Sequence, residues 1–186
     1  MTDNQTFHWF PLRIAYSSSR RVMELKGLLD SEPFVKDTFV PMEYRIHNLR
    51  YDLVPAINNL IFINTSFYHL KEIKSHKLVY DPLRYVMHTV DRNGDAVREI
   101  VTVPERQMTD FIRVVNERND KVVFLDNLDF ACRPGQKVEI TDGLFVGVQG
   151  VIKRIKGNVC VVVPIEDVAA VAITGVPKCH LRYIES

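Results

Sequence analysis

The residue types that usually carry chemistry are scattered along this chain. Cys132, Cys160 and Cys179 are an odd set without CxxC spacing and without a nearby pair of histidines. That spacing argues against a zinc site and reads as reduced cysteines of a cytoplasmic protein. The histidines, His8, His47, His69, His76, His88 and His180, are equally dispersed, and no Ser or Cys lies in a recognisable nucleophile motif. The chain is therefore expected to be no enzyme and to need no cofactor or metal. Gly143, Gly147 and Gly150 do not have G-x-G-x-x-G spacing and no Gly-Lys-Ser/Thr follows them, which excludes a phosphate loop.

Positive charge is the remaining resource. Arg20 and Arg21 fall in the first turn of a candidate helix, where they oppose the macrodipole. Beside free N–H groups they form either a small anion-binding corner or two solvated arginines. Lys153, Arg154 and Lys156 fall on one candidate hairpin, a pattern that fits salt-sensitive RNA binding. With 24 basic against 23 acidic residues and a net charge of +1, the chain is too neutral to hold nucleic acid mainly through phosphates. Any such contact is local and helped by another partner.

The elements that must position these groups are clearest from Gly135 onward. Val138 and Ile140 alternate with polar neighbours, as a half-buried strand requires. Asp142-Gly143 is a turn dipeptide, and Phe145 returns to the apolar side. Gly147 and Gly150 mark a bend or a close backbone approach. Val151–Ile155 is a second alternating strand, Gly157-Asn158 a hairpin turn, and Val159–Val163 a strand buried on both faces. Ala169–Ile173 and Cys179–Ile184 complete a set of short strands that fits a small, strongly bent β-barrel.

The preceding residues follow a different pattern. His8–Tyr16 is an opening strand, with Pro11 predicting an edge or a bulge. Ser17-Ser18-Ser19 offers N-cap hydroxyls for a helix with Val22, Leu25 and Leu28 or Leu29 at helical spacing. Phe39–Ile46 is a strand interrupted by Pro41, and 48–55 is a loop. Leu60–Ile63 is strongly β-prone, with Leu60 and Phe62 on one face and Ile61 and Ile63 on the other. His69–Lys77 is a helix or loop whose three lysines form a solvated face. Arg84–Val90 and Ala96–Thr102 are strands around an Arg92–Asp95 turn. Pro104 and Glu105 open a helix with Met108, Phe111, Ile112 and Val115 as its core stripe.

Six of the eight glycines lie at or after Gly135, leaving Gly27 and Gly94 before it. This shift divides the 186 residues into domains 1–118 and 133–186 with a linker at 119–132, where Val122–Leu125 is able to dock as a strand. No apolar run is long enough to span a membrane and the start lacks a signal-peptide pattern. The expectation is a cytoplasmic monomer.

The order Gly-x-x-Val-x-Ile-x-Asp-Gly-x-Phe-x-Gly-x-x-Gly-x-Ile, carried by Gly135, Val138, Gly143, Phe145, Gly147 and Gly150, resembles a KOW motif. Trp9-Phe10, the strands, Val103-Pro104-Glu105 and the terminal barrel together resemble the NusG family of transcription elongation factors. Ile155-Lys156-Gly157, Val161–Val163, Ala170–Ala172 and Leu181 carry a closer similarity to its UpxY-type paralogues, which promote transcription of surface-polysaccharide operons. The resemblance implies an α+β N-terminal (NGN-like) domain, an antiparallel sheet with flanking helices, followed by an all-β SH3-like KOW barrel. It implies transcription antitermination: an apolar patch grips the clamp helices of RNA polymerase, non-template DNA is touched, and pausing is suppressed. By position, the polymerase-facing patch falls on Ile57, Leu60 and Phe62, the DNA contacts on Arg20, Arg21 and Arg84, and the barrel recruits a second protein or RNA partner. The chain departs from the family pattern at Asn58-Asn59-Leu60 and at Ile165-Glu166-Asp167. The alternative function is a KOW-type RNA-binding or ribosome-associated module, motivated by the basic hairpin.

Overall fold

The computed structural model describes residues 6–15, 18–57, 59–76, 78–117, 120–125, 135–165 and 168–184. Expectations placed on Asn58, on Cys132 and the rest of 126–134, and on Glu166-Asp167 lie outside the described residues. The chain is a mixed αβ protein in which every strand pairing is antiparallel. Backbone proximity divides it into two compact units, Met1–Glu105 and Arg106–Ser186.

In the first unit, strands β1 (Phe7–Ile14), β2 (Asp37–Phe39), β5 (Leu60–Ser66) and β6 (Leu83–Tyr85) form a sheet in the order β2-β5-β1-β6. Phe10 opposes Ile63 and Leu12 opposes Ile61, and these side chains enter one core. Val22, Leu25 and Leu29 of helix α1 (Ser19–Asp30) and Leu70 and Ile73 of helix α2 (Phe67–His76) complete that core. Helical spacing places Leu29 inside, while Leu28 is 45% exposed. Ser18 stands at the N-cap of α1, but its side chain makes no capping hydrogen bond.

Pro11 is not on an edge strand: β1 lies inside the sheet. Val103 N–H donates to the Trp9 carbonyl at 2.9 Å, and the backbone two residues on faces the same side. On that side β6 pairs only with Leu12–Ile14. The missing N–H of Pro11 thus falls in a gap between partners, where it costs no ladder bond.

Two hairpins complete the first unit: β3 (Met42–His47) with β4 (Arg50–Pro55), and β7 (Met87–Arg92) with β8 (Asp95–Ile100). The segment 48–55 is therefore no loop. Asn48 and Leu49 turn the chain with φ of 49° and 62°, a conformation that a sequence without glycine there does not announce. Asn93-Gly94 makes the other turn, with φ of 59° and 91°.

The second unit takes in helix α3 (Glu105–Asn116) from Arg106 onward, so the contacts divide the chain before the expected 118/119 boundary. The polar face of α3 is tied to the second unit. Gln107 Nε2 donates to the Pro164 carbonyl at 2.6 Å, and Arg113 donates to the carbonyls of Val146 at 2.6 Å and Leu144 at 3.1 Å. Asp110 accepts the Gln149 N–H at 3.2 Å. Met108, Phe111, Val114 and Val115 are buried, whereas Ile112 is only partly so.

Six strands form one antiparallel sheet in this unit: β9 (Val122–Phe124), β10 (Lys137–Ile140), β11 (Gln149–Ile155), β12 (Asn158–Ile165), β13 (Ala169–Thr174) and β14 (Leu181–Tyr183). Their order is β14-β10-β11-β12-β13-β9. Part of the expected linker is thus a strand, with Val122 opposite Ile173 and Phe124 opposite Val171. Within 135–184, where the sequence leads one to expect an all-β domain, the described elements are strands β10–β14 and the 3-10 turn Lys178–His180. Cys160 through Val163 are buried on both faces of β12.

The motif positions shape this sheet. Val138 and Ile140 point inward and Phe145 is 5% exposed. Gly143 and Gly147 take φ of 86° and 87°, and Gly147 N–H donates to the Ile140 carbonyl at 2.6 Å. A Cβ on Gly150 would stand 2.5 Å from the Val162 carbonyl oxygen, and one on Gly135 would stand 2.5 Å from Val151 Cγ1. The hairpin turn is Lys156-Gly157, with φ of 49° and 85°, rather than Gly157-Asn158, because Asn158 already pairs with Ile155.

Candidate nucleic-acid interface

The register of the first sheet decides which candidate residues share a face. Directly opposed residues of an antiparallel pair lie on the same side. Arg13 opposes both Leu60 and Arg84, and Pro11 opposes Phe62. Leu60, Phe62, Arg13 and Arg84 therefore share the face turned away from the α1–α2 core. The Phe62 ring lies 6.4 Å from that of Phe39 on the same side.

The apolar members of this set are closed off. Leu60 and Phe62 have 0% exposed surface, so in this conformation neither presents a surface to a partner. Ile57, in the bend after β4, is partly exposed. Strand β5 is buried along its whole length.

The basic members occupy one end of the sheet. Ala15 N–H donates to the Pro82 carbonyl at 2.9 Å, so β1 ends beside β6; α1 begins at Ser19. Arg20 is exposed and pairs with Glu24 at 2.9 Å, one turn along the helix. Such an exposed pair is worth about 0.3–0.5 kcal/mol. Arg21 is exposed as well. No acidic residue sits in the first turn of α1.

Arg84, on the outermost strand of the sheet, is held differently. Its Nη1 donates to the carbonyls of Asp81 and, at 2.9 Å, Leu83. Lys74 of α2 donates to the same Leu83 oxygen at 2.7 Å. Its ammonium also lies 4.8 Å from the centre of the Tyr85 ring. Burial lowers the pKa of Lys74, and Arg84 lowers it further against a smaller opposing pull from Asp81. Burial likewise lowers the pKa of Arg13, whose Nη1 reaches Asn59 Oδ1 at 3.4 Å. Lys74 is the member that the sequence hides, since its run reads as a solvated lysine face.

The basic hairpin of the second unit does not form a single surface. Lys153 is 8% exposed, while Arg154 and Lys156 face solvent. Strand alternation separates Lys153 from Arg154. A polar ladder runs instead across β11, β10 and β14. Glu139 accepts from Gln149 at 2.9 Å and from Arg182 at 2.6 Å, with Arg106 of α3 at 3.7 Å. The Gln149 hydrogen bond and these arginines hold its carboxyl below the usual range.

Among the described residues, no three of His, Cys, Asp and Glu come together to hold a metal, and no helix is long and apolar enough to cross a membrane. Cys160 is buried and Cys179 exposed, both as free thiols.

No family model and no curated protein matches this chain. A solved structure of NusG from Thermotoga maritima, determined to describe its domain interaction, is similar over 97% of this chain and 98% of its own. The identity is 16% and the TM-score 0.43.

Proposed function

We propose that this protein is a non-enzymatic transcription elongation and antitermination factor that binds RNA polymerase and non-template DNA, in the manner of the NusG family. One observation carries it. The face holding Leu60 and Phe62 also holds Arg13 and Arg84 in direct register. A protein that grips a polymerase through apolar side chains while touching DNA needs these two chemistries side by side. The KOW-like motif and the order of elements support the same assignment. Within it, Ile57, Leu60 and Phe62 face the clamp helices, and Arg84 with Arg20 and Arg21 faces DNA. The 133–186 region recruits a second partner, and the operons served are of the surface-polysaccharide type. Since Leu60 and Phe62 are closed off here, gripping requires that their face become accessible.

The test is retention of core RNA polymerase by the immobilised full chain, with isolated clamp helices as competitor. Retention is expected to fall as competitor is added. Ile57→Asp is expected to weaken it at least about thirtyfold, since a charge at an anchoring position costs about 2 kcal/mol or more. A folded chain that retains no polymerase refutes the proposal.

A further inference from the structure

Arg84 has like charge on two sides. Arg13 stands directly across from it on β1, an arrangement that disfavours a sheet. Lys74 reaches the same carbonyl oxygen, that of Leu83, from α2. Two cations from separate elements, a strand and a helix, therefore meet at the end of β6, while the Arg13 head reaches Asn59. Burial and Arg84 both work against the charge on Lys74, and Asp81 is the acid that acts on it in the opposite sense.

The geometry of the edge explains where this charge points. Strand β6 is outermost in its sheet. The Pro82 carbonyl accepts from Ala15 on the β1 side, so the next carbonyl, Leu83, points off the open edge. An exposed edge is commonly blunted by charged side chains. Here two cations converge on one oxygen. A bound anion relieves that repulsion by lying between the two heads.

We propose that Lys74 and Arg84 together form a seat for one phosphodiester of single-stranded DNA at the open edge of β6. The assignment rests on the DNA-contacting part of the proposed function and adds Lys74 to it. Arg84 supplies its remaining guanidinium donors, and Lys74 acts as a point charge steadied over Tyr85.

The test uses the full chain and a labelled single-stranded DNA oligonucleotide, with anisotropy followed across a salt series. The slope of log K against log salt is expected to fall by about 0.7 in Lys74→Met and by a similar amount in Arg84→Met. Methionine keeps an apolar stem over Tyr85, and a melting curve confirms that each variant is folded. Lys74→Arg is expected to keep the wild-type slope. A folded Lys74→Met with an unchanged slope overturns the seat. Polymerase retention is read separately: its failure with the slope change intact removes the polymerase assignment and leaves the seat standing.

Discussion

Gly150→Ala is the sharpest perturbation that the second unit offers. Gly150 lies in β11, across from Val138 on β10. An added Cβ would stand 2.5 Å from the Val162 carbonyl oxygen and 2.8 Å from Val161 Cγ1. Ordinary contact begins near 3.4 Å, so the backbone of β12 must move by close to an ångström. That backbone is interior, paired with β11 on one side and β13 on the other. Overpacking a tight core costs about 1–3 kcal/mol, and an obstacle made of paired backbone belongs at the upper end. Gly143→Ala is the internal control. Its Cβ meets open space, and only its φ of 86° is unfavourable, at about 1–2 kcal/mol. Hydrogen exchange of the Val161–Val163 amides is the suitable assay, because it reports the second unit alone. Gly150→Ala is expected to speed exchange by about a hundredfold, corresponding to about 3 kcal/mol, and Gly143→Ala clearly less. If Gly150→Ala leaves those amides as protected as in wild type, β11 and β12 do not approach as described.

Two titrating groups give predictions of opposite sign. Burial raises the Asp110 carboxyl above its ordinary 3.8 despite the Gln149 N–H and two nearby arginines. The folded state then holds that proton longer than the unfolded state, and stability falls as pH rises through the raised value. Asp110→Asn, which still accepts the Gln149 N–H, is expected to remove that decline in urea titrations at several pH values. An unchanged pH profile contradicts the burial. Glu139 is the reverse case: hydrogen bonds and arginines lower its carboxyl. Its contribution is present above the unfolded value and lost as pH falls through the lowered one. Glu139→Gln is expected to flatten the acid limb of the same titration.

What was legible in the sequence was whatever local geometry writes into residue order. Alternation gave β10 and both faces of β5, and the glycines that must bend or pass close to backbone stand where their spacing put them. The stripe Met108, Phe111, Val115 gave α3. Its allegiance was another matter. That depends on Gln107, Asp110 and Arg113 finding backbone groups far along the chain, and helical periodicity carries no information about partners. Strand β4 was missed because its turn uses Leu49 at φ 62°, a position where sequence normally shows glycine or asparagine. Pro11 misled for a related reason. The rule that proline avoids interior strands concerns an N–H needed by a neighbour, and here the neighbour begins one residue too late to need it.

The basic cluster at β6 shows most clearly why site and fold differ in legibility. Arg13, Lys74 and Arg84 belong to a strand, a helix and another strand, and the lysine run around Lys74 reads in the sequence as a solvated face. A net charge of +1 argues for a local contact without saying where it is. Only the register that sets Arg13 across from Arg84, and the carbonyl shared by Arg84 and Lys74, brings the charges together. Because like charges at close range raise the energy of the folded chain, two cations on one oxygen are understandable where an anion completes them.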